Sequence, residues 1–91
     1  MNKRLLYRKA QDLWGLDKQL NMVFEECGEL ITALSRLIRG RGGTILLAGE
    51  IADVEIMLDQ LKYIYNIHEV VEGITMDKLE RLKERLDESG G

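Results

Sequence analysis

The sequence has 91 residues, enough for a single domain spanning 1–91 with a modest core. It is 32% charged, contains no proline and has a net charge of −3, which favours helices joined by glycine turns and leaves no basic face for nucleic acid. No apolar run approaches the roughly 20 residues of a membrane span or resembles a signal peptide, and the single cysteine cannot form an internal disulfide. We therefore expect an all-α cytoplasmic protein that binds neither nucleic acid nor membrane.

The first half of the chain has the apolar spacing of two helices. A short helix is predicted over residues 3–15, with Gly15 as its stop. A longer helix is predicted from Asp17, a candidate N-cap, to Arg39. The glycine-rich stretch GRGG at 40–43 should end this helix, because glycine breaks helices and accepts the positive φ of a C-terminal cap.

The second half is predicted to hold two more helices. Thr44 is a candidate cap for a third helix that continues to about Ile67. The pattern is interrupted at Gly73, so a short last helix is expected from a Thr75 cap to about Leu86. The two long helices are joined by about four residues, and such a short connection predicts an antiparallel hairpin flanked by shorter helices.

The third helix directs a carboxylate into its own apolar stripe. At about 100° per residue, Glu50 falls near the middle of the stripe and Asp53 falls beside it. In the second helix, Glu26 lies at the edge of the apolar stripe and Glu29 is its neighbour. The apolar residues of the third-helix stripe are Leu46, Val54, Met57, Leu61 and Ile64. Each long helix therefore presents an acidic pair toward the groove of the hairpin.

Four carboxylates in one groove predict a cation site. Partly buried carboxylates repel one another and lose hydration, so they must be protonated, pair with bases or bind a metal. The stripes of the hairpin offer no lysine or arginine placed to neutralise all four. Ligation by carboxylate oxygens suits Mg²⁺, or Mn²⁺, better than zinc. The alternative is an acidic groove that pairs with a basic surface of another subunit.

The same residues resemble the signature of a known family. EECGE at 25–29 followed by EIAD at 50–53 is similar to the EExxE…ExxD pattern of the all-α nucleoside triphosphate pyrophosphohydrolases, the MazG-like superfamily. The resemblance covers about residues 10–86. It implies Mg²⁺-dependent hydrolysis of a standard or modified nucleoside triphosphate to a monophosphate and pyrophosphate. It also implies a homodimer or homotetramer with a four-helix-bundle-like active site.

The resemblance implies a role for each matching residue. Glu25 matches the extra acid of the motif and would orient or deprotonate the attacking water; a solvated surface glutamate is the alternative. Lys78 and Arg81 match basic residues that contact phosphates, with ordinary surface ion pairs as the alternative. Trp14 would stack on the base, as aromatic residues do in several members, unless it is a core residue. The implied metal ligands are Glu26, Glu29, Glu50 and Asp53.

Two further features bear on the substrate. Arg36, Arg39 and Arg41 cluster around the glycine turn, where we favour a role in capping the helix C-terminus over binding of a phosphate tail. Met76 and Asp77 stand where some members of the superfamily carry an asparagine before the lysine, so the sequence departs from the pattern there.

Two alternative functions follow from the sequence. Phosphoribosyl-ATP hydrolysis uses the same chemistry, but the stretch EIADVEIML lacks the Tyr-His pair that usually follows the acidic motif of that enzyme. A function of another class is a non-catalytic helical interaction or regulatory protein, whose acidic groove binds a partner. Intact acids at all five motif positions favour an enzyme.

Overall fold

The computed structural model describes residues 1–90, and this part of the chain forms four α-helices without strands. The all-α prediction is therefore confirmed. Within residues 1–90, none of the helices has the length and apolar character needed to cross a bilayer. The helices are α1 (Lys3–Trp14), α2 (Leu16–Ile38), α3 (Thr44–Tyr65) and α4 (His68–Glu88).

Small residues at the helix ends account for three of the boundaries. Asn2 caps α1, since its side-chain oxygen accepts a hydrogen bond from the backbone N–H of Leu5 at 3.1 Å. Gly15, with φ +81°, separates α1 from α2 as predicted. The prediction that Asp17 caps α2 is wrong, because Gly15 occupies the N-cap and Asp17 lies in the first turn. A carboxylate there still favours the helix through its dipole.

The boundaries of α3 differ slightly from those predicted. Gly43 is the N-cap, so Thr44 is the first helical residue and makes no capping hydrogen bond. The helix ends at Tyr65 rather than near Ile67, because Asn66 adopts a left-handed conformation with φ +53°. Asparagine tolerates this conformation better than most residues, and the chain therefore turns two residues early.

The predicted break at Gly73 is wrong. Helix α4 runs without interruption from His68 to Glu88, and Thr75 donates its hydroxyl to the carbonyl of Val71 at 2.7 Å instead of capping a new helix. A single glycine weakens a helix but does not have to end it. With 21 residues, α4 is nearly as long as α2 and α3, so only α1 is a clearly shorter flanking helix.

Replacing Gly73 with alanine is expected to raise the free energy of unfolding by about 0.5–1 kcal/mol, because Gly73 lies inside a helix. The added Cβ would meet no heavy atom within 4 Å. Denaturant unfolding followed by circular dichroism measures the change. Gly15→Ala is the matched control and should lose stability, since φ +81° strains any residue with a side chain. A less stable Gly73→Ala protein would contradict the continuous helix.

Helices α2 and α3 form the antiparallel hairpin on which the rest of the chain is built. At its open end, the Gln19 amide donates to the side-chain oxygen of Gln60 at 3.0 Å. Ten residues further along α2 and ten residues back along α3, Glu29 and Glu50 also face each other. In these facing pairs the residue number rises along α2 as it falls along α3, which defines the antiparallel register of the two helices.

The hairpin has a very small core. Only Val54 and Met57 are buried among the apolar side chains of residues 1–90, and both belong to the predicted stripe of α3. Leu46, predicted in the same stripe, is 65% exposed because it lies at the start of α3, beside the glycine turn. Two adjacent helices bury only the side chains directly between them. The remaining apolar surface needs another partner.

Candidate metal centre

The antiparallel register brings three of the predicted acids together. Glu26 and Glu29 project from neighbouring turns of α2, and Glu50 projects from α3 across the groove. One carboxylate oxygen from each residue lies within 4.8 Å of the other two. Oxygens at such spacing are close enough to share one divalent cation, since Mg²⁺ binds its ligands at about 2.0–2.1 Å.

Two of these carboxyl groups each have an oxygen without a partner. The Oε2 atoms of Glu26 and Glu50 are inaccessible to solvent, and neither makes a hydrogen bond to any part of residues 1–90. The side chains as a whole are only half-buried, while Glu29 is exposed. The buried oxygens therefore belong to carboxyl groups that reach water on one side only. A buried acceptor without a partner is costly, so it needs a proton or a cation.

Electrostatics in the groove oppose full ionisation. Desolvation, together with the negative charges of nearby carboxylates, raises the pKa of Glu26 above its ordinary value. Desolvation and the charges of Glu29 and Asp53 likewise raise the pKa of Glu50, whose protonated form can donate a hydrogen bond to Glu29. A bound cation would reverse this effect by favouring the charged forms.

The two remaining acids of the motif lie at the margin of the cluster. Asp53 is exposed and is not among the three residues whose oxygens converge, yet its charge acts on both Glu26 and Glu50. Glu25 is exposed as well, and its charge acts on Glu26. The structure thus assembles three of the four predicted ligands and leaves Asp53 and Glu25 close by, facing solvent.

Metal-free protein is expected to lose stability as the pH rises from about 4.5, because the folded state binds protons at Glu26 and Glu50 more tightly than the unfolded chain. Their raised pKa values contribute stability that is present below pH 4.5 and lost as the pH passes through the folded-state values. Thermal unfolding between pH 4 and 8, in the presence of a chelator, measures this loss. The double variant Glu26→Gln/Glu50→Gln should show a smaller decline, and an unchanged pH dependence would contradict the interpretation.

A cavity of about 290 Å³ extends from the acidic cluster to the glycine turn. Glu29 and Glu50 form one end of its lining, while Gly42 and Gly43 form the other. Arg36 also lines this cavity and makes no ion pair within 4.0 Å in the described chain. The sequence alone favours a capping role for Arg36 over the binding of a phosphate tail. Arg36 follows Glu29 by seven residues, or about two turns, and therefore lies on the same face of α2. This spacing could have predicted that Arg36 lines the cavity of the acidic cluster.

Trp14 lines neither the acidic cluster nor the cavity next to it. It is 43% exposed and lines an apolar groove of about 390 Å³ together with Leu13, Ile56 and neighbouring residues. Ile56 follows Asp53 by one helical turn on α3, so this groove begins close to the acids. The ammonium group of Lys18 lies 5.9 Å from the centre of the indole ring. Trp14 is therefore a surface aromatic rather than a core residue.

Lys78 and Arg81 are not brought to the acids of their own chain. Together with Leu82 and Arg85 they line a shallow hollow on α4. Helix α4 contacts α3 alone and does not touch α2. The alternative role, in surface ion pairs, is not seen either, since the structure of residues 1–90 has one ion pair, His68 with Asp59 at 3.4 Å.

Comparisons of this chain with protein-family models, with curated proteins and with solved structures found no match. The similarity to the MazG-like superfamily therefore stays a prediction that depends on the five acids of the EExxE…ExxD pattern.

Proposed function

We propose that this protein is a Mg²⁺-dependent nucleotide pyrophosphohydrolase, which converts nucleoside triphosphates to monophosphates and pyrophosphate. The observation that carries this proposal is the pair of buried, unpartnered oxygens of Glu26 and Glu50, next to Glu29. The proposed ligands are Glu26, Glu29 and Glu50, with Asp53 at the open side. Mn²⁺ would suit the same oxygen ligands.

The donor set fits a hard divalent cation. All the convergent groups are carboxylates, and no histidine or cysteine belongs to the cluster within residues 1–90. Bound Mg²⁺ would screen the substrate phosphates from the carboxylates, polarise a phosphoryl oxygen and lower the pKa of a coordinated water. Glu25 faces solvent one residue before Glu26, and we assign it to orienting the attacking water or accepting its proton.

The cavity at the acids and the separate groove lined by Trp14 suggest how a nucleotide would lie. At one end, Arg36 and the start of α3 offer a positive side chain and free backbone N–H groups to phosphates. At the other end, the groove lined by Trp14 and Ile56 offers apolar surface and an aromatic ring to the base. The acidic cluster between them would hold the metal against the polyphosphate.

A hairpin with this little core also supports assembly into a homodimer or homotetramer. Apolar side chains remain exposed along the outer faces of both long helices, including Phe24, Ile31, Ile38, Ile51 and Leu58. Pairing of two hairpins would bury these faces in a four-helix bundle.

A panel of nucleoside and deoxynucleoside triphosphates, with phosphoribosyl-ATP, tests the proposal when each is incubated with and without Mg²⁺. Metal-dependent release of a monophosphate and pyrophosphate is the expected result, and the preferred substrate identifies the subfamily. Release of orthophosphate would mean that a different bond is cleaved. No turnover with any substrate, and no Mg²⁺ binding in calorimetry, would favour a non-catalytic interaction protein.

A further inference from the structure

The chain exposes more surface than a compact monomer of its length. Its accessible area is 7470 Å², whereas a folded monomer of this size exposes about 5,400 Å². Its radius of gyration is 16.6 Å, against about 12 Å for a compact domain of 91 residues. The excess of roughly 2,000 Å² is at least as large as the share that one subunit buries in a standard interface.

Much of the excess belongs to α4. Every residue of this helix other than Val71 is exposed. Six large apolar side chains of α4 are exposed, and Val70 and Met76 lie outside a common face. The other four share one face, within an arc of about 140°. They are Ile74, Leu79, Leu82 and Leu86, each between 49% and 58% exposed. A helix with such a stripe is stable in water only when the stripe is covered.

Three bases of α4 lie at the Ile74 side of its apolar stripe. Lys78, Arg81 and Arg85 fall within about 40° of Ile74 around the helix axis and line a common hollow with Leu82. Acidic residues occupy the opposite face of the helix, namely Asp77, Glu80, Glu84 and Asp87. None of the three bases makes an ion pair within the described part of the chain. The edge with the bases therefore fits a surface that combines apolar and acidic groups.

The hairpin presents such a surface beside its acidic cluster. Ile45 and Leu46 are 83% and 65% exposed at the start of α3. Leu46 lines the same cavity as Glu29 and Glu50. The combination of exposed leucine and carboxylates there complements the combination of leucine and bases on α4.

We propose that α4 of one protomer docks on the α2–α3 hairpin of a second copy of this chain, exchanging arms so that Lys78, Arg81 and Arg85 reach the partner's acidic groove. In its own chain α4 points away from that groove, because it contacts α3 and does not contact α2. A reciprocal exchange buries both stripes at once and closes as a symmetric dimer.

The lengths of the helices agree with this docking. Glu50 lies fifteen residues, or about 22 Å, before the end of α3. Arg81 lies thirteen residues, or about 20 Å, after the start of α4. A partner's α4 packed antiparallel to α3 would therefore bring its bases level with the carboxylates. The role of these bases at a phosphate site rests on the proposed function, whereas the docking itself does not.

Cysteine crosslinking tests the docking without nucleotide or metal. In a Cys27→Ser background, the variant Leu46→Cys/Leu86→Cys is oxidised and separated on a non-reducing gel, because Leu46 and Leu86 lie about 28 Å and 27 Å from the α3–α4 turn and are therefore level in this docking. Both native side chains are exposed, so the substitutions should leave the fold intact. We expect a crosslinked dimer several-fold more abundant than in the control Leu46→Cys/Glu84→Cys, whose second cysteine lies on the opposite face of α4.

Three results would overturn the proposal. A crosslink within one chain, seen as a monomer of altered mobility, would mean that α4 folds back on its own hairpin. Equal crosslinking in the Glu84→Cys control would mean random collision. A monomer in sedimentation of the native chain would mean that some other partner covers α4. Crosslinked dimer without turnover on any nucleotide would support the docking while contradicting the proposed function.

Discussion

Replacing Glu50 with glutamine is expected to lower kcat/KM for the preferred triphosphate by about 100-fold or more. Changing a residue that merely orients a metal ligand costs about 10–100-fold, and direct removal of a ligand should cost at least as much. Glutamine keeps the size and shape of the side chain, so packing in the groove is preserved. Steady-state assays across a Mg²⁺ titration measure the loss and separate weaker metal binding from slower chemistry.

The same substitution should stabilise the metal-free protein at neutral pH. Glu50 is partly desolvated and lies among Glu29, Asp53 and other carboxylates, so its ionised form is disfavoured in the fold. Removing that charge relieves repulsion, and Mg²⁺ should then raise the Tm less than it does in the native protein.

The matched control is Glu55→Gln, which removes one charge from an exposed position of the same helix. It should leave both activity and the Mg²⁺ effect on the Tm unchanged. If Glu50→Gln kept native activity, or if Glu55→Gln lost as much, the acidic cluster would not be the metal site. Circular dichroism establishes that both variants remain helical.

Replacing Arg36 with alanine is expected to lower kcat/KM by about 10–100-fold, and most of this loss should come from a higher KM. The guanidinium lines the cavity that begins at Glu29 and Glu50, where it would meet the phosphates of a metal-bound substrate. A hydrogen bond to a charged group is worth about 1.5–3 kcal/mol, and its loss corresponds to the stated factor. Kinetics with the preferred triphosphate test the effect.

Arg39→Ala is the control for Arg36→Ala. Arg39 is the C-cap residue of α2 and does not line that cavity. The two variants change the net charge equally and lie one helical turn apart, so a general electrostatic effect would weaken both alike. Equal losses of kcat/KM in the two variants would contradict a specific role for Arg36. Unchanged kinetics of Arg36→Ala would mean that the phosphates do not bind at Arg36.

Local patterns in the sequence predicted the helices and the acidic groove well. Helix periodicity depends on side chains three and four residues apart, so it identified the inward positions of Glu26 and Glu50 without knowledge of the fold. Local patterns were less reliable at the helix boundaries. Gly73 was predicted to interrupt the helical pattern, but a single glycine only weakens a helix. Because the neighbouring residues have good helix propensity, α4 continues through Gly73.

The sequence by itself determined the all-α class, the hairpin and the acidic residues that face its groove, because these follow from helix geometry and a short glycine connection. The tertiary structure alone decided how the charged groups meet. The register of α2 and α3 placed Glu29 opposite Glu50 and turned Arg36 into the adjoining cavity. The direction of α4 left Lys78 and Arg81 away from the acids of their own chain. Such distances between helices depend on contacts between residues far apart in sequence, which periodicity within one helix does not encode.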